Sequence, residues 1–116
     1  MPAAQHEVLA AGRWHTLTLT EQLANVGSEV IRALRARDAG RTDRCDRALT
    51  RALELFDLTA ADARWRGPRR RETLRARELV CRVLFAGEEA PGATGFLASY
   101  FLQFAVAARR AGARPR

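Results

Sequence analysis

The sequence predicts an all-α protein, an up-down-up-down four-helix bundle with a short extended N-terminal lead-in. Apolar residues recur every three or four positions in four separate segments, as the buried faces of amphipathic helices do. Helix caps and Gly or Pro breaks separate these segments, and the connections are short enough for antiparallel neighbours. A chain of 116 residues fits one domain. We predict a flexible tail over 1–13, the bundle over 14–110 and a basic tail over 111–116.

The first helix is predicted over 19–38. Alternating residues over 13–20 indicate the extended lead-in. Thr18 and Glu21 form a capping box, in which each side chain binds the other residue's backbone N–H. Gly27 in mid-helix costs about 1 kcal/mol relative to Ala, so we expect a neighbouring helix to pack closely there. The apolar stripe consists of Leu19, Leu23, Val26, Val30 and Leu34.

The second helix is predicted over about 42–58, and its short connection to the first indicates an antiparallel hairpin. A helical turn carrying Trp65 is expected over 60–66, where Thr59 and Asp62 resemble a second capping box. A tetratricopeptide-like hairpin is the alternative architecture, but its 34-residue period does not return along the chain.

A break at 67–68 precedes a third helix over 68–86, because Pro68 suits the first helical position. The later part of this helix is apolar nearly all round, which predicts a central place in the core. Thr94 is the predicted cap of a last helix over 95–110.

The chain is strongly basic, with a formal net charge of +7 and arginine at all 20 basic positions. Guanidinium groups bind phosphates bidentately and stack on bases, so this composition suits a nucleic-acid partner. A GC-rich genome also encodes arginine and alanine at neutral positions. That alternative explains the choice of arginine over lysine, but not the excess of basic over acidic residues.

Two segments concentrate the positive charge. Residues 64–82 contain eight arginines against two glutamates, and residues 109–116 contain four arginines and no acid. The first segment surrounds a predicted helix N-terminus, which favours anions, and its Trp65 suits stacking on a base. A solvated face with local pairs from Arg71 and Arg75 to Glu72 and Glu78 is the alternative. The candidate RNA- or DNA-binding residues are Arg64, Trp65, Arg66, Arg69, Arg70, Arg71, Arg75, Arg109 and Arg110.

Other arginines lie on the first two helices, interleaved with aspartates. We interpret them as ordinary exposed ion pairs. These arginines are Arg35, Arg37, Arg41, Arg44, Arg47 and Arg51, and the aspartates are Asp38, Asp43 and Asp46.

The sequence offers no recognisable catalytic site and no spacing of metal ligands. Both histidines, His6 and His15, precede the first helix, and no phosphate-binding glycine loop is present. We therefore predict neither a catalytic residue, nor a metal, nor a cofactor. Cys45 and Cys81 have no CxxC spacing, so we expect both to be buried apolar residues in a reducing compartment.

One cluster of polar residues is the exception to the prediction that the chain has no catalytic or metal-binding residue. Its carboxylates, if they faced one another inside the bundle, would support acid/base chemistry or metal binding. The alternative is a half-buried cluster that pairs with arginine and fixes the register of the helices. The cluster consists of Asn25, Glu29, Arg32, Glu54 and Asp57.

The chain lacks an uninterrupted apolar stretch of the roughly 18 residues that a membrane span needs, and it has no signal-peptide pattern. We therefore predict a cytoplasmic protein that does not contact a membrane.

Several runs of residues carry a resemblance to a known family. They read Trp14-x-x-Leu17-x-Leu19-x-Glu21-Gln22-Leu23-Ala24-Asn25-Val26-Gly27-Ser28-Glu29-Val30, then Arg51-Ala52-Leu53-Glu54-Leu55-x-Asp57-Leu58-Thr59, Arg77-Glu78 and Tyr100-Phe101-x-x-Phe104-Ala105. About four-fifths of the chain resembles a widespread family of small prokaryotic helical proteins, which brings no assigned activity. In size, basicity and helix layout the chain is also similar to the four-helix-bundle proteins of 23S ribosomal RNA intervening sequences. The accessory proteins of diversity-generating retroelements, which are oligomers that bind RNA and a reverse transcriptase, are a further likeness of architecture alone.

These observations lead to three hypotheses. The first is a non-enzymatic, homo-oligomeric RNA- or DNA-binding accessory protein of a nucleic-acid enzyme such as a reverse transcriptase. The second is an adaptor or antitoxin-like partner, related to non-catalytic HEPN proteins, with an apolar groove beside Phe96, Tyr100 and Phe104. A HEPN nuclease is disfavoured because its Arg-to-His motif is absent. The third is an enzyme that uses Glu29, Glu54 and Asp57.

Overall fold

A computed structural model describes residues 12–87 and 91–113, and this part of the chain is helical without a β-strand. The all-α prediction is confirmed. Within the described ranges, no helix has the length and apolarity that a membrane crossing requires. The four long helices are α1 (Leu19–Asp38), α2 (Thr42–Ala60), α3 (Pro68–Val80) and α4 (Ala93–Ala113), and a π-helical turn over Cys81–Phe85 continues α3.

Helix α1 begins where the capping box predicts. The backbone of Thr18 is extended, its hydroxyl accepts the Glu21 N–H at 3.1 Å, and its own N–H donates to the Glu21 carboxylate at 3.0 Å. The extended lead-in, however, is wrong. Residues 12–14 are helical, and two turns follow, closed by the N–H groups of Thr16 and Leu17. The chain turns here because the Trp14 side chain is buried in the core, only 6% exposed.

Helix α1 packs most extensively on α2 and on α4, while α3 packs mainly on α2. The centre of the core contains Val26 and Val30 of α1, Phe56 of α2, and Leu97 and Phe101 of α4. The rings of Phe56 and Phe101 meet edge to face, with their centroids 6.1 Å apart. The core therefore joins the first two helices to the last one.

Gly27 lies where α1 and α4 approach most closely in this core. A Cβ atom added at Gly27 would lie 2.6 Å from the Cβ atom of Phe101 and 3.0 Å from its Cδ1 atom. The prediction of close packing at this glycine is confirmed, because a side chain of any size would force the two helices apart.

The chain after α3 differs from the prediction of one continuous helix over 68–86. The α-helix ends at Val80, and the π-helical turn is closed by a bond from the Ala86 N–H to the Cys81 carbonyl. Apolar periodicity does not distinguish an α-helical from a π-helical turn. Val83 is buried as expected, but Phe85 is 81% exposed, so this segment is only partly in the core. Cys45 is buried, whereas Cys81 is half-buried.

Helix α4 begins at Ala93, earlier than predicted, and continues to Ala113. Thr94 is therefore inside the helix rather than its cap. Its hydroxyl accepts a hydrogen bond from the Arg37 guanidinium at 3.0 Å, which ties α4 to the end of α1. Residues 111–113 of the predicted basic tail belong to α4, while 1–11 and 114–116 lie outside the described residues.

Candidate nucleic-acid-binding surface

The connection between α2 and α3 is folded around Trp65, and it consists of hydrogen-bonded turns rather than the predicted helical turn. The Arg64 guanidinium lies over the indole, 4.4 Å from the ring centroid, and that of Arg69 lies 5.8 Å away. The indole Nε1 donates to the Gln22 side-chain oxygen at 2.7 Å. Trp65 is therefore half-buried and anchored to α1, with arginine on its ring.

Gln22 is the centre of a buried hydrogen-bond network beneath this surface. Its side chain is fully buried, and its amide nitrogen donates to the Trp14 carbonyl at 2.9 Å and to the Asp62 carboxylate at 3.0 Å. Its oxygen accepts from Trp65, so both amide hydrogens and the oxygen are bonded. A buried amide without these partners would destabilise the fold by about 1–3 kcal/mol.

Asp62 and Thr59 complete the network. The Asp62 carboxylate, 4% exposed, accepts three bonds from the Arg64 guanidinium, the shortest at 2.7 Å, and one from the Arg64 backbone N–H. The bonds from Arg64 hold the pKa of this carboxyl well below its usual range. The Thr59 hydroxyl accepts from the Trp14 indole at 3.0 Å, and Arg64 also donates to the Leu17 carbonyl. The network thereby fixes three segments to one another: the residues before α1, α1 itself and the α2–α3 connection.

Sequence reasoning assigned no role to Gln22, and it read Thr59 and Asp62 as a helix cap. A signal was present, because Gln22 lies between Leu19 and Val26 on the buried side of α1, where an amide needs partners. The partners Asp62 and Trp65 lie 40 and 43 positions further along the chain. Local sequence therefore does not indicate them.

The outer side of this region is an arginine-rich surface that we call the Trp65 surface: Arg64, Trp65, Arg66, Arg69, Arg70, Arg71 and Arg75. Arg66 and the four arginines on α3 are exposed, and within the described residues none of these five has an ion-pair partner. An open cleft of about 510 Å³ lies along it, lined in part by Trp65, Arg66 and Arg70. Arg64, Arg66, Arg69 and Arg70 are thus brought together with Trp65. Arg71 and Arg75 lie further along α3, and Arg75 lines the groove between α3 and α4. Arg109 and Arg110 are exposed near the end of α4.

Local pairing does not neutralise the Trp65 surface. The predicted alternative paired Arg71 and Arg75 with nearby glutamates, but Glu78 pairs with Arg82 at 2.9 Å, and Glu72 accepts the Tyr100 hydroxyl at 2.9 Å. These local pairs are absent among the described residues, so that part of the alternative is wrong, while a solvated face stays the alternative to a ligand-binding surface.

The polar cluster predicted near the seam of α1 does not converge. Glu29 accepts bonds from Arg32 at 2.9 Å and from Arg51 of α2 at 3.1 Å. Asp57 pairs with Arg77 of α3 at 3.0 Å. The remaining members lie apart, since Asn25 donates to the Glu21 carbonyl and Glu54 is exposed. No three metal-binding side chains meet anywhere in the described part of the chain. Glu29 and Asp57 each bridge two helices through an arginine instead of facing one another.

The arginines of α1 and α2 are not the ordinary ion pairs that the sequence suggested. Arg37 does pair with Asp38, at 3.0 Å. Asp43 and Asp46, however, make no ion pair with any described arginine, which leaves Arg35, Arg41, Arg44 and Arg47 without an acidic partner among the described residues.

An apolar groove separates α3 from α4, with a volume of about 150 Å³. Phe96 lies on its edge and is 59% exposed. Its ring stacks on that of Tyr100 with a centroid distance of 6.1 Å, and burial together with Glu72 raises the pKa of Tyr100 above its usual value. Phe104 is half-buried and packs edge to face on Tyr100. A groove is therefore present beside Phe96 and Tyr100, as predicted, but Phe104 does not line it.

These features define an all-helical protein with an arginine-rich surface built on a buried polar network. No protein-family model matches the chain, and no curated protein or solved structure matches it significantly. The resemblance seen in the sequence stays a prediction.

Proposed function

We propose that this protein is a non-enzymatic RNA- or DNA-binding protein, an accessory subunit of a nucleic-acid enzyme such as a reverse transcriptase. The observation that supports the proposal is the Trp65 surface, where an anchored indole with Arg64 and Arg69 on its ring lies beside exposed arginines that have no ion-pair partner among the described residues. Arg109 and Arg110 extend the candidate binding residues to α4.

The chemistry of binding follows from the guanidinium groups. Each exposed arginine of the Trp65 surface presents several N–H donors to phosphate oxygens, and the free N–H groups at the start of α3 attract the same anions. Because the Gln22 network already fixes the connection, binding costs little ordering of the backbone. A base reaches the Trp65 indole only by sharing it with Arg64, so phosphate contacts dominate and sequence preference is weak.

The proposal is tested with the double variant Arg70→Gln/Arg71→Gln and a fluorescein-labelled 20-nucleotide RNA in an anisotropy titration. The matched control, Arg77→Gln/Arg82→Gln, removes the same charge from two arginines that are already ion-paired. We expect the first variant to bind more weakly and with a shallower salt dependence than the control. Undetectable binding of the unaltered protein at low salt would refute the proposal, and equal affinities of the two variants would show that the Trp65 surface is not the binding site.

A second candidate function, protein–protein contact, is favoured by the exposure of Phe96 beside the α3–α4 groove. We propose a second copy of this chain as the occupant, which makes the protein a homo-oligomer. Light scattering tests this with Phe96→Ser against Leu102→Ser, since Leu102 is similarly exposed, at 51%, but does not line the groove. We expect only the first variant to become monomeric. A monomeric unaltered protein contradicts the proposal.

We also propose that the four long helices run up-down-up-down as a bundle. The short connections from α1 to α2 and from α2 to α3 support this arrangement, as does the packing of α1 against both α2 and α4.

A further inference from the structure

A second arginine-rich feature lies between the later half of α1 and the first half of α2, where an open groove has a volume of about 540 Å³. We call it the arginine groove. Its lining includes two small residues, Ala36 and Ala39, between the guanidinium-bearing side chains of the two helices. The six arginines that define it are Arg32, Arg35, Arg41, Arg44, Arg47 and Arg51.

The arginine groove carries more positive than negative charge. Glu29, whose side chain is 15% exposed, bridges Arg32 and Arg51 and so holds the two helices together at one end of the groove. No acidic residue lines the groove itself, although Asp43 lines an adjoining cleft with Arg41, Arg44 and Arg47 and offsets part of their charge. Four arginines of the groove have no ion-pair partner in the part of the chain that the structure describes, so the groove keeps a net positive potential.

The arginines are arranged in two rows. Arg44, Arg47 and Arg51 recur at spacings of three and four, which places them on one face of α2 over a length of about 10 Å. Arg32 and Arg35 form the facing row on α1. Two rows of guanidinium groups beside small alanines match an extended series of phosphates, whereas a small anion would engage only a few of these groups.

The arginine groove is separate from the Trp65 surface. Trp65 bonds to Gln22 near the start of α1, whereas Arg35 lies 13 positions further along that helix, a distance of about 20 Å. The two basic surfaces therefore lie toward opposite ends of the α1–α2 hairpin.

We infer that the arginine groove is a second nucleic-acid site, which binds the phosphate backbone of RNA or DNA without reading its bases. The choice of nucleic acid as the partner rests on the proposed function. The position of the site rests only on the arginines that line the groove. A nucleic acid must extend at least about 20 Å to reach from one surface to the other, while a short one is held by either surface alone.

The inference is tested with Arg44→Gln/Arg47→Gln, which leaves the Glu29 bridge intact, in an anisotropy titration that uses a labelled duplex in place of the single strand. For a duplex, each phosphate contact makes log K fall by about 0.9 for every tenfold rise in salt concentration. One contact therefore raises the affinity about 8-fold at 0.1 M salt compared with its value at 1 M salt. Loss of two contacts therefore weakens binding of a labelled 20-base-pair RNA or DNA duplex roughly 60-fold. The control Arg77→Gln/Arg82→Gln carries the same change in charge, and circular dichroism verifies that every variant is folded.

The outcomes separate this inference from the proposed function. If only Arg70→Gln/Arg71→Gln weakens binding, the arginine groove is not a nucleic-acid site and the inference fails while the proposed function stands. If only Arg44→Gln/Arg47→Gln does so, the inference holds and the Trp65 surface is wrong. Vesicles containing an anionic phospholipid are titrated in parallel, and binding of vesicles but not of duplex would overturn the inference in favour of a membrane partner.

Discussion

Gly27→Ala is the substitution whose effect the structure determines most sharply. The new Cβ atom would lie 2.6 Å from the Cβ atom of Phe101, whereas ordinary contacts begin at 3.4 Å, so α1 and α4 must separate by about 0.8 Å at this point. The Phe101 Cβ atom is attached directly to the backbone of α4 and cannot rotate away. Overpacking of this kind costs about 1–3 kcal/mol, against a gain in helix propensity of about 1 kcal/mol.

We therefore expect Gly27→Ala to lower the free energy of unfolding by up to about 2 kcal/mol, after the gain in helix propensity is subtracted from the packing cost. Urea unfolding followed by circular dichroism measures this, with a midpoint shift of up to about 1 M and a loss of up to several degrees in Tm. Gly95→Ala is the matched control, because Gly95 is an exposed glycine of α4 with no atom within 4 Å of an added Cβ, and the same change should there be neutral or stabilising. A Gly27→Ala protein as stable as the Gly95→Ala protein would refute the packing argument, because the control carries the propensity gain without the clash.

Two further predictions concern titrating groups. The pKa of Asp62 is lowered in the folded protein, mainly by its bonds from Arg64, so its contribution to stability is present above the usual carboxyl pKa of about 3.9 and is lost as the pH falls below it. Asp62→Asn should lower the unfolding free energy by about 1–3 kcal/mol at pH 7, and the free energy should then fall less steeply below pH 4. A variant whose unfolding free energy depends on pH as in the unaltered protein would contradict this. Tyr100 is the only tyrosine, and burial and then Glu72 raise its pKa, so phenolate absorbance at 295 nm should appear at higher pH in the folded protein than in urea. Glu72→Gln should lower that midpoint only partly, because burial remains; equal midpoints with and without urea would contradict the assignment.

Much of the fold follows from local sequence. The capping box at Thr18, the apolar spacing and the glycine and proline breaks predicted the positions of α1 and α2 to within two residues at each end. These signals act within a few residues of one another, so they are visible without tertiary structure. The lead-in failed because burial of Trp14 in the core overrides the local alternation. The π-helical turn after Val80 was missed because apolar spacing is compatible with either kind of turn.

The candidate binding residues were predictable in part for the same reason. The run from Arg64 to Arg70 is close in sequence, and a single connection and the first turn of α3 bring it to Trp65, whereas Arg75 lines the groove between α3 and α4. The arginine groove was missed because its residues come from two helices and alternate with aspartates, which suggested mutual neutralisation. Only the packing of α1 on α2 shows that these arginines lie together and that Asp43 and Asp46 do not pair with them.

The sequence by itself determined the helical class, most helix positions, the need for close packing at Gly27 and the excess of arginine, because each depends on neighbouring residues or on composition. The tertiary structure alone decided which polar groups meet. Gln22 is bonded to Trp65 and Asp62 across 43 and 40 positions, and Glu29 bridges to Arg51 across 22, instead of joining Glu54 and Asp57 in a carboxylate site. Such partners are chosen by helix packing, since burial makes an unpaired polar group costly and selects whichever group the fold brings within reach.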